Sequence, residues 1–213
     1  MLQKNKFEIL QMPPVNTNSV LVTSGADAVI FDAWRRADDW QKLLDSRKLK
    51  LRAIYATHGH SDHISAAPEL AQRYNVPWYM NLRDLPLVPL GNQILDFWEL
   101  PRIADDFVRP TDLHAGRVKI LDNIDMEIIA APGHSAGGVM FYFPEYKILL
   151  SGDTIFHDGV GRTDLPGGNA DDLQKTISEL VVRNLPDDTY VVHGHGTDSM
   201  IGWLCQNNPY LKA

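Results

Sequence analysis

Short apolar runs and helical patterns alternate along the 213-residue chain in two similar rounds. The first round contains β-like runs and two sets of apolar residues at helical spacing. The predicted strands cover 7–10, 19–23, 28–31, 51–56 and 77–80, and the predicted helices lie around 40–44 and at 67–74. Residues 85–116 are the least regular stretch, with prolines among apolar clusters, so we predict an irregular segment that acts as a lid or as packing.

The second round begins with a meander of strands and closes with a helix and a last strand. The predicted strands cover 118–121, 126–130, 139–143, 148–151 and 189–192, and the predicted helix covers 171–182. Two sheets covered by helices satisfy this order, with the functional residues on loops at strand ends. The chain shows no internal repeat, low-complexity tract or linker, which predicts one domain over residues 1–213.

Composition and charge exclude several classes of function. The net charge is −7 and no run of Lys or Arg occurs, which disfavours nucleic acid or an anionic membrane as a partner. The polar start Met1–Lys6 lacks the apolar stretch of a signal peptide, and no segment approaches the roughly 18 apolar residues that span a bilayer. The single cysteine, Cys205, excludes an intramolecular disulfide and fits a reducing compartment. We therefore expect a cytoplasmic enzyme.

The densest chemistry lies in the heptad Thr57-His58-Gly59-His60-Ser61-Asp62-His63, which directly follows a predicted strand. Its three imidazoles and one carboxylate are metal-ligand groups, and such a string arises by chance in a chain of this composition roughly once in a thousand. Taken alone, the heptad is also compatible with a solvated His-rich turn. The rest of the chain favours the metal site.

Three further predicted strands also end at metal-competent side chains. His134 follows 126–130, Asp153 follows 148–151, and His193 and His195 follow 189–192. A hydrogen-bonded loop residue would explain any one of them, but four strand ends of the same kind predict convergence on one cleft. Even with only one of His193 and His195 counted, five imidazoles and two carboxylates exceed the needs of one tetrahedral ion and suffice for two. Nitrogen and oxygen ligands without a thiolate admit zinc, iron or manganese.

With these motifs the sequence resembles the metallo-β-lactamase superfamily, and within it the small glyoxalase II-like hydrolases. The matching segments extend over most of the chain and include the heptad, 132–135, 151–156, Gly161-Arg162-Thr163-Asp164-Leu165-Pro166-Gly167-Gly168 and 194–196. The resemblance implies an α/β fold, the αββα four-layer sandwich of two sheets flanked by helices. The chain ends soon after Tyr210, so we expect no C-terminal helical domain of the kind found in longer glyoxalase II enzymes.

The resemblance also implies how the ligands divide between two divalent metal ions, with zinc expected first and iron or manganese as alternatives. The first ion would be held by His58, His60 and His134. The second would be held by Asp62, His63 and His195, with Asp153 bridging the two ions. Asp62 would also be catalytic, because it would orient a metal-bridging hydroxide that attacks the carbonyl carbon of the substrate.

Several residues near these motifs keep two interpretations. His193 is either a bystander or an alternative ligand, and His157 is either a substrate contact or a loop residue without function. Asp32, at the end of an early strand, is a candidate to support a ligand. Arg162 falls where glyoxalase II enzymes place a basic residue that contacts glutathione, but it could equally tether its own loop to a nearby acid such as Asp164.

The expected function is hydrolysis of a small-molecule thioester, either S-lactoylglutathione or a related acyl thioester. Thr197 stands where glyoxalase II enzymes place a substrate-contacting tyrosine, so the thioester specificity stays open. A persulfide dioxygenase, which binds one iron through two histidines and an aspartate, is the alternative, although the segment 165–168 favours the hydrolase. A superfamily nuclease is disfavoured by the acidic charge. The sequence does not determine the oligomeric state.

Overall fold

Two six-stranded sheets form the centre of the fold, in a computed structural model that describes residues 6–211 apart from the side chain of Val182. The first sheet contains, in spatial order, β1 (Phe7–Met12), β2 (Thr17–Ser24), β3 (Asp27–Phe31), β4 (Lys50–Tyr55), β5 (Trp78–Met80) and β6 (Thr111–Asp112). The second contains β12 (Ser199–Met200), β11 (Tyr190–His193), β10 (Ile148–Gly152), β9 (Val139–Phe143), β8 (Ile124–Ala130) and β7 (Gly116–Leu121). The expectation that the chain has no signal peptide rests on Met1–Lys6, and of these residues only Lys6 is described.

The helices of the described chain are α1 (Ala37–Ser46), α2 (Ser61–Ile64), α3 (Ala67–Tyr74), α4 (Leu87–Phe97), α5 (Ala170–Arg183) and α6 (Ile201–Asn207). Local sequence explains the bounds of α5. The Asn169 side chain accepts a hydrogen bond from the Asp172 backbone N–H, and Asn184 ends the helix in the left-handed conformation at φ 51°. Between Lys6 and Leu211, no helix is long and apolar enough to cross a membrane.

Three apolar layers separate the sheets and helices. Phe31 and Phe141 meet between the two sheets, with ring centroids 5.0 Å apart. On the other face of the first sheet, Ile30 belongs to a layer that contains Trp40 of α1, and on the outer face of the second sheet Leu149 belongs to a layer with α5 and α6. Side chains alternate between the two faces of each strand, and apolar layers lie against both faces of each sheet. The predicted αββα four-layer sandwich is confirmed.

Strand direction determines where the loops converge. In the first sheet β3, β4 and β5 are parallel, so their carboxyl ends meet at one edge. In the second sheet β8 is antiparallel to β9, β9 is antiparallel to β10, and β10 is parallel to β11. Strands β8, β10 and β11 therefore share a direction, and the loops that follow them emerge on the same side of the sheet.

The prediction that residues 85–116 are irregular is wrong for the first part of that segment. Residues 87–97 form α4, because Pro86 precedes the helix and Pro89 lies in its first turn, where backbone N–H groups have no intrahelical partner. Residues 101–110 do lack regular structure, but Asn92 exchanges two hydrogen bonds with the backbone of Ile103, which is buried. These contacts favour packing over a lid. Sequence reasoning also missed the short elements α2, β12 and α6.

Candidate metal centre

All the side chains predicted as ligands lie together at the edge where these strands end. The heptad follows β4, His134 follows β8, Asp153 follows β10, and His195 follows β11. The possible ligand atoms fall into three overlapping groups, in each of which the atoms lie within 4.8 Å of one another: His58, His60 and His134; His58, His63 and Asp153; and Asp62, His63 and His195. The first and third groups match the predicted division between two ions.

The first group consists of imidazoles alone. His60 Nδ1 lies 2.9 Å from His134 Nε2, close to the separation of about 3.3 Å that nitrogen ligands adopt around a tetrahedral ion. His58 Nδ1 lies 3.0 Å from Thr57 Oγ1, which in turn donates a hydrogen bond to Asp32. His58 Nε2 is buried and has no hydrogen-bond partner within the described chain, as expected of an atom that binds a cation.

The second group combines imidazole with carboxylate. His195 Nε2 lies 3.1 Å from Asp62 Oδ2 and 3.3 Å from His63 Nε2. The side chain of His63 is fully enclosed, whereas Asp62 and His195 are 21% and 25% exposed. The open side of the second group, at Asp62 and His195, is therefore the side from which a substrate can approach.

Asp153 lies between the two groups. Its Oδ2 is 3.6 Å from His134 Nε2 of the first group and 3.5 Å from His195 Nε2 of the second. Its Oδ1 is 3.5 Å from His63 Nε2, is buried, and has no hydrogen-bond partner among residues 6–211. The backbone of Gly194 passes so close that a Cβ there would overlap Asp153 Oδ1.

His60 of the first group and His63 of the second differ in pKa because burial dominates at one and nearby acids dominate at the other. Burial, and then the neighbouring imidazole of His134, lower the pKa of His60 to about 4. Burial also lowers the pKa of His63, but Asp32, Asp62 and Asp153 outweigh it and raise that pKa to about 9. His60 is thus a neutral imidazole at pH 7, the form that binds a metal ion, whereas the acids around His63 favour a cation.

Polar contacts at the far ring nitrogens orient the imidazoles. His134 Nδ1 is 2.8 Å from the Arg162 carbonyl, and His195 Nδ1 is 3.0 Å from the Val15 carbonyl. His63 Nδ1 lies 3.0 Å from Asp32 Oδ2, so the expectation that Asp32 supports a ligand agrees with its position. In all three rings Nε2 is left to face the cluster, the arrangement found around metal-bound histidines.

Two contributors to the site were missed by sequence reasoning. Asn18, in β2, donates hydrogen bonds to the carbonyls of His193 and Gly196, and so holds the loop that carries His195. Asp84 is fully buried and lies just beyond β5. Sequence reasoning locates the ligands as polar residues after predicted strands. The same search after the strand predicted at 77–80 finds Asp84.

The donor set fits a pair of divalent cations. Two unpartnered ligand atoms, His58 Nε2 and Asp153 Oδ1, are buried at the centre of the cluster. Imidazoles and carboxylates without thiolates are ligands for zinc, iron or manganese. A sequence model of the metallo-beta-lactamase superfamily matches residues 12–195.

This chain belongs to the metallo-beta-lactamase superfamily. It is 32% identical over 212 residues to the Haemophilus influenzae protein named hydroxyacylglutathione hydrolase GloC, with 97% of this chain and 98% of that protein covered. The crystal structure of the BLEG-1 B3 metallo-beta-lactamase is similar at a TM-score of 0.85 and 28% identity, covering 97% of this chain and 100% of that one. The structure of TTHA1623 in a di-iron-bound form is similar at a TM-score of 0.83 and 30% identity, covering 96% and 100%.

The structure shows which contacts are made by Arg162, His193 and His157, the residues with two interpretations. The Arg162 guanidinium makes two hydrogen bonds of 2.7 Å to Asp164, so in this structure it tethers its own loop. His193 is buried, its Nε2 lies 2.9 Å from Ser199 Oγ, and it belongs to none of the three ligand groups. His157 also lies 2.9 Å from Ser199 Oγ and stacks on Trp203, with ring centroids 3.9 Å apart. His193 and His157 thus share a contact with Ser199.

Proposed function

We propose that this protein is a glyoxalase II-like, dinuclear metal-dependent hydrolase that cleaves a small-molecule thioester, S-lactoylglutathione or a related acyl thioester. The observation that carries the proposal is the position of Asp153, whose Oδ2 faces His134 of one ligand group and His195 of the other. A carboxylate shared in this way suits two ions about 3.5–4 Å apart, the spacing used by two-metal hydrolases.

Side chains of the second ligand group would orient the water that attacks the substrate. When bound, two divalent cations would acidify a shared water and polarise the carbonyl oxygen of the substrate. Asp62 is the carboxylate best placed to accept a proton or hydrogen bond from that water, since it is partly exposed and belongs to the second group. Burial raises the pKa of Asp62, but His63 and His195 outweigh burial and lower it, so the carboxylate stays ionised at neutral pH.

Several observations support a thioester as substrate. A thiolate is a good leaving group because the thiol pKa is only about 8.5, so its departure needs little help from an acid. The relative GloC, similar over nearly the full chain, carries the name hydroxyacylglutathione hydrolase. Arg162 is 62% exposed, and its partner Asp164 is equally accessible, so a substrate carboxylate can compete for the guanidinium.

The segment 165–168 favours the hydrolase over the persulfide dioxygenase alternative. The ligand atoms of Asp62, His63 and His195 converge and so provide a place for the second ion of the hydrolase, but a dioxygenase that binds one iron can keep these residues without using them, so the metal count discriminates between the two. We propose zinc as the resident metal, with iron as the first alternative because the similar TTHA1623 structure is a di-iron form. We further propose a cytoplasmic location with no nucleic-acid or membrane partner, which the single cysteine and the net charge of −7 support.

Thioester hydrolysis by an Asp153→Asn variant tests the proposal. Wild type, Asp153→Asn and the control Asp158→Asn, which changes an exposed acid on the same loop, would be loaded with zinc and assayed on glutathione and coenzyme A thioesters. We expect Asp153→Asn to lose about a thousandfold in kcat/KM and the control to match wild type. The proposal fails if wild type hydrolyses none of the thioesters, or if Asp153→Asn with both ions bound is equally fast.

A further inference from the structure

Asp84 is a buried carboxylate that lies behind the first ligand group. It ends the 3-10 turn Leu82–Asp84 that follows β5, and it is 0% exposed. Ionised carboxylates are costly to bury unless several donors satisfy them. The donors that satisfy Asp84 therefore indicate its role.

Those partners belong to the two loops that supply the first group of imidazoles. Asp84 Oδ2 accepts hydrogen bonds from the Gly59 N–H at 2.9 Å and from Ser135 Oγ at 2.6 Å. Asp84 Oδ1 accepts a hydrogen bond from the Gly137 N–H at 2.6 Å. Gly59 lies between His58 and His60 in the sequence, and Ser135 directly follows His134. One carboxylate therefore joins the heptad to the His134 loop.

The glycines in these loops make room for the carboxylate. A Cβ at Gly59 would lie 2.7 Å from Asp84 Cβ, and a Cβ at Gly137 would lie 2.9 Å from Asp84 Cγ. Contacts this short do not occur between real side chains, so any larger residue at either position would push the two loops away from Asp84. The close approach of the loops thus depends on glycine and on Asp84 together.

The geometry of the second group offers a direct comparison. Asp32 follows β3 and Asp84 follows β5, so the two acids lie beyond the strands that flank β4, which carries the heptad. Asp32 contacts His63 of the second group, while Asp84 contacts the backbone on either side of the first. Asp32 thus touches a ligand of the second group directly and reaches His58 only through Thr57, whereas Asp84 joins the two loops of the first group.

We propose that Asp84 is a positioning residue for the first metal ion: it sets the distance between the His58–His60 segment and His134, and so determines the affinity of that ion. This inference rests on the metal-binding part of the proposed function and not on the identity of the substrate. A protein that binds two ions but cleaves no thioester would overturn the proposed function and leave the role of Asp84 intact.

Zinc affinity measured one site at a time tests this role. The background His195→Ala retains the first group, and the background His58→Ala retains the second. Asp84→Asn, with nearly the same shape, would be added to each, and Zn²⁺ binding would be measured by competition with a chromophoric chelator. We expect Asp84→Asn to weaken binding about 10- to 100-fold in the His195→Ala background and less than about threefold in the His58→Ala background.

A control and a second variant keep the test decisive. Asp105→Asn changes an exposed acid further along the chain and should leave both affinities unchanged. If Asp84→Asn does not fold, Ser135→Ala removes one donor to the same carboxylate, and we expect it to weaken only the first site, by about three- to tenfold. Equal weakening of both sites, or no weakening of either, would overturn the proposal. A purely structural role would lower the Tm of the metal-free protein and spare the affinity of the first site.

Discussion

His63 Nδ1 lies 3.0 Å from Asp32 Oδ2, and both side chains are almost completely enclosed. Asp32 also accepts hydrogen bonds from the backbone N–H and the hydroxyl of Thr57, so the carboxylate is held from two sides. A fixed carboxylate behind an imidazole keeps Nε2 directed at the metal and makes the ring a stronger ligand. The contact therefore links the end of β3 to the second ligand group.

Asp32→Asn should weaken the second metal site selectively. The amide can still accept one hydrogen bond from Thr57, but it no longer supplies the negative charge beside His63. In the His58→Ala background we expect Zn²⁺ affinity to fall about 10- to 100-fold, measured by chelator competition. The same substitution in the His195→Ala background should have a smaller effect, because Asp32 reaches His58 only through the Thr57 hydroxyl, and an equal loss in the two backgrounds would contradict this role.

Gly194→Ala should displace Asp153, the proposed bridging carboxylate, whereas Gly196→Ala should not. A Cβ at Gly194 would overlap Asp153 Oδ1, while a Cβ at Gly196 meets no atom within 4 Å. Gly196 has φ 76°, so alanine there costs only backbone strain, about 1–2 kcal/mol. Metal analysis after dialysis should show close to two ions per chain for Gly196→Ala and fewer for Gly194→Ala. Equal occupancy in both variants would contradict the expectation that close packing of Gly194 against Asp153 and His63 holds the ions in place.

Arg162→Ala should raise KM for a glutathione thioester and leave kcat nearly unchanged. The guanidinium would bind a carboxylate of the thiol carrier, away from the reacting carbon, so its loss removes binding that is equal in the ground and transition states. We expect a rise of about tenfold in KM. A thioester of a neutral thiol serves as the control substrate and should show no change.

The partner variant Asp164→Ala sharpens this comparison. It frees the guanidinium from its bidentate contact, so KM for the glutathione thioester should stay the same or fall. If Arg162→Ala affects the charged and neutral thioesters equally, the arginine serves only to tether its loop.

Asp198→Asn should stabilise the protein at neutral pH and lose this advantage in acid. Burial raises the pKa of Asp198, although the hydrogen bond from the Tyr190 hydroxyl at 2.6 Å partly opposes the rise. A carboxyl whose pKa is higher in the folded state binds its proton more tightly there, so ionisation at pH 7 costs stability that is recovered as the pH falls. The gain in Tm at pH 7 should be no more than about 2 °C and should shrink towards pH 4. A gain that grows in acid would have the wrong sign.

Much of the fold could be predicted because its strands and helices carry strong periodic patterns. The helix over Ala67–Tyr74 and the strand over Val139–Phe143 have the bounds expected from the sequence. The sequence does not predict α4, because prolines such as Pro86 and Pro89 are typical of irregular chain, although both lie where a helix tolerates proline. The short β12 and α6 lack a pattern long enough to be distinguished from a loop.

The candidate ligands could be listed from sequence because the chemistry restricts them to a few residue types after strand ends. Their supporting contacts could not, since these depend on which strands are neighbours. Asp84 meets Gly59 and Ser135 only because β5 lies beside β4 and the His134 loop reaches across from the second sheet. The ion pair that Arg162 forms with Asp164 is local in sequence, yet only the structure shows that it has formed.

Metal stoichiometry measured together with the reaction tests the central claim most directly. Metal-free protein would be titrated with Zn²⁺, and separately with Fe²⁺, while thioester hydrolysis and oxygen consumption with a glutathione persulfide are followed. The account predicts that hydrolysis reaches its maximum at two ions per chain and that no oxygen is consumed. Full activity at one iron per chain, with oxygen consumed and the thioester intact, would contradict it.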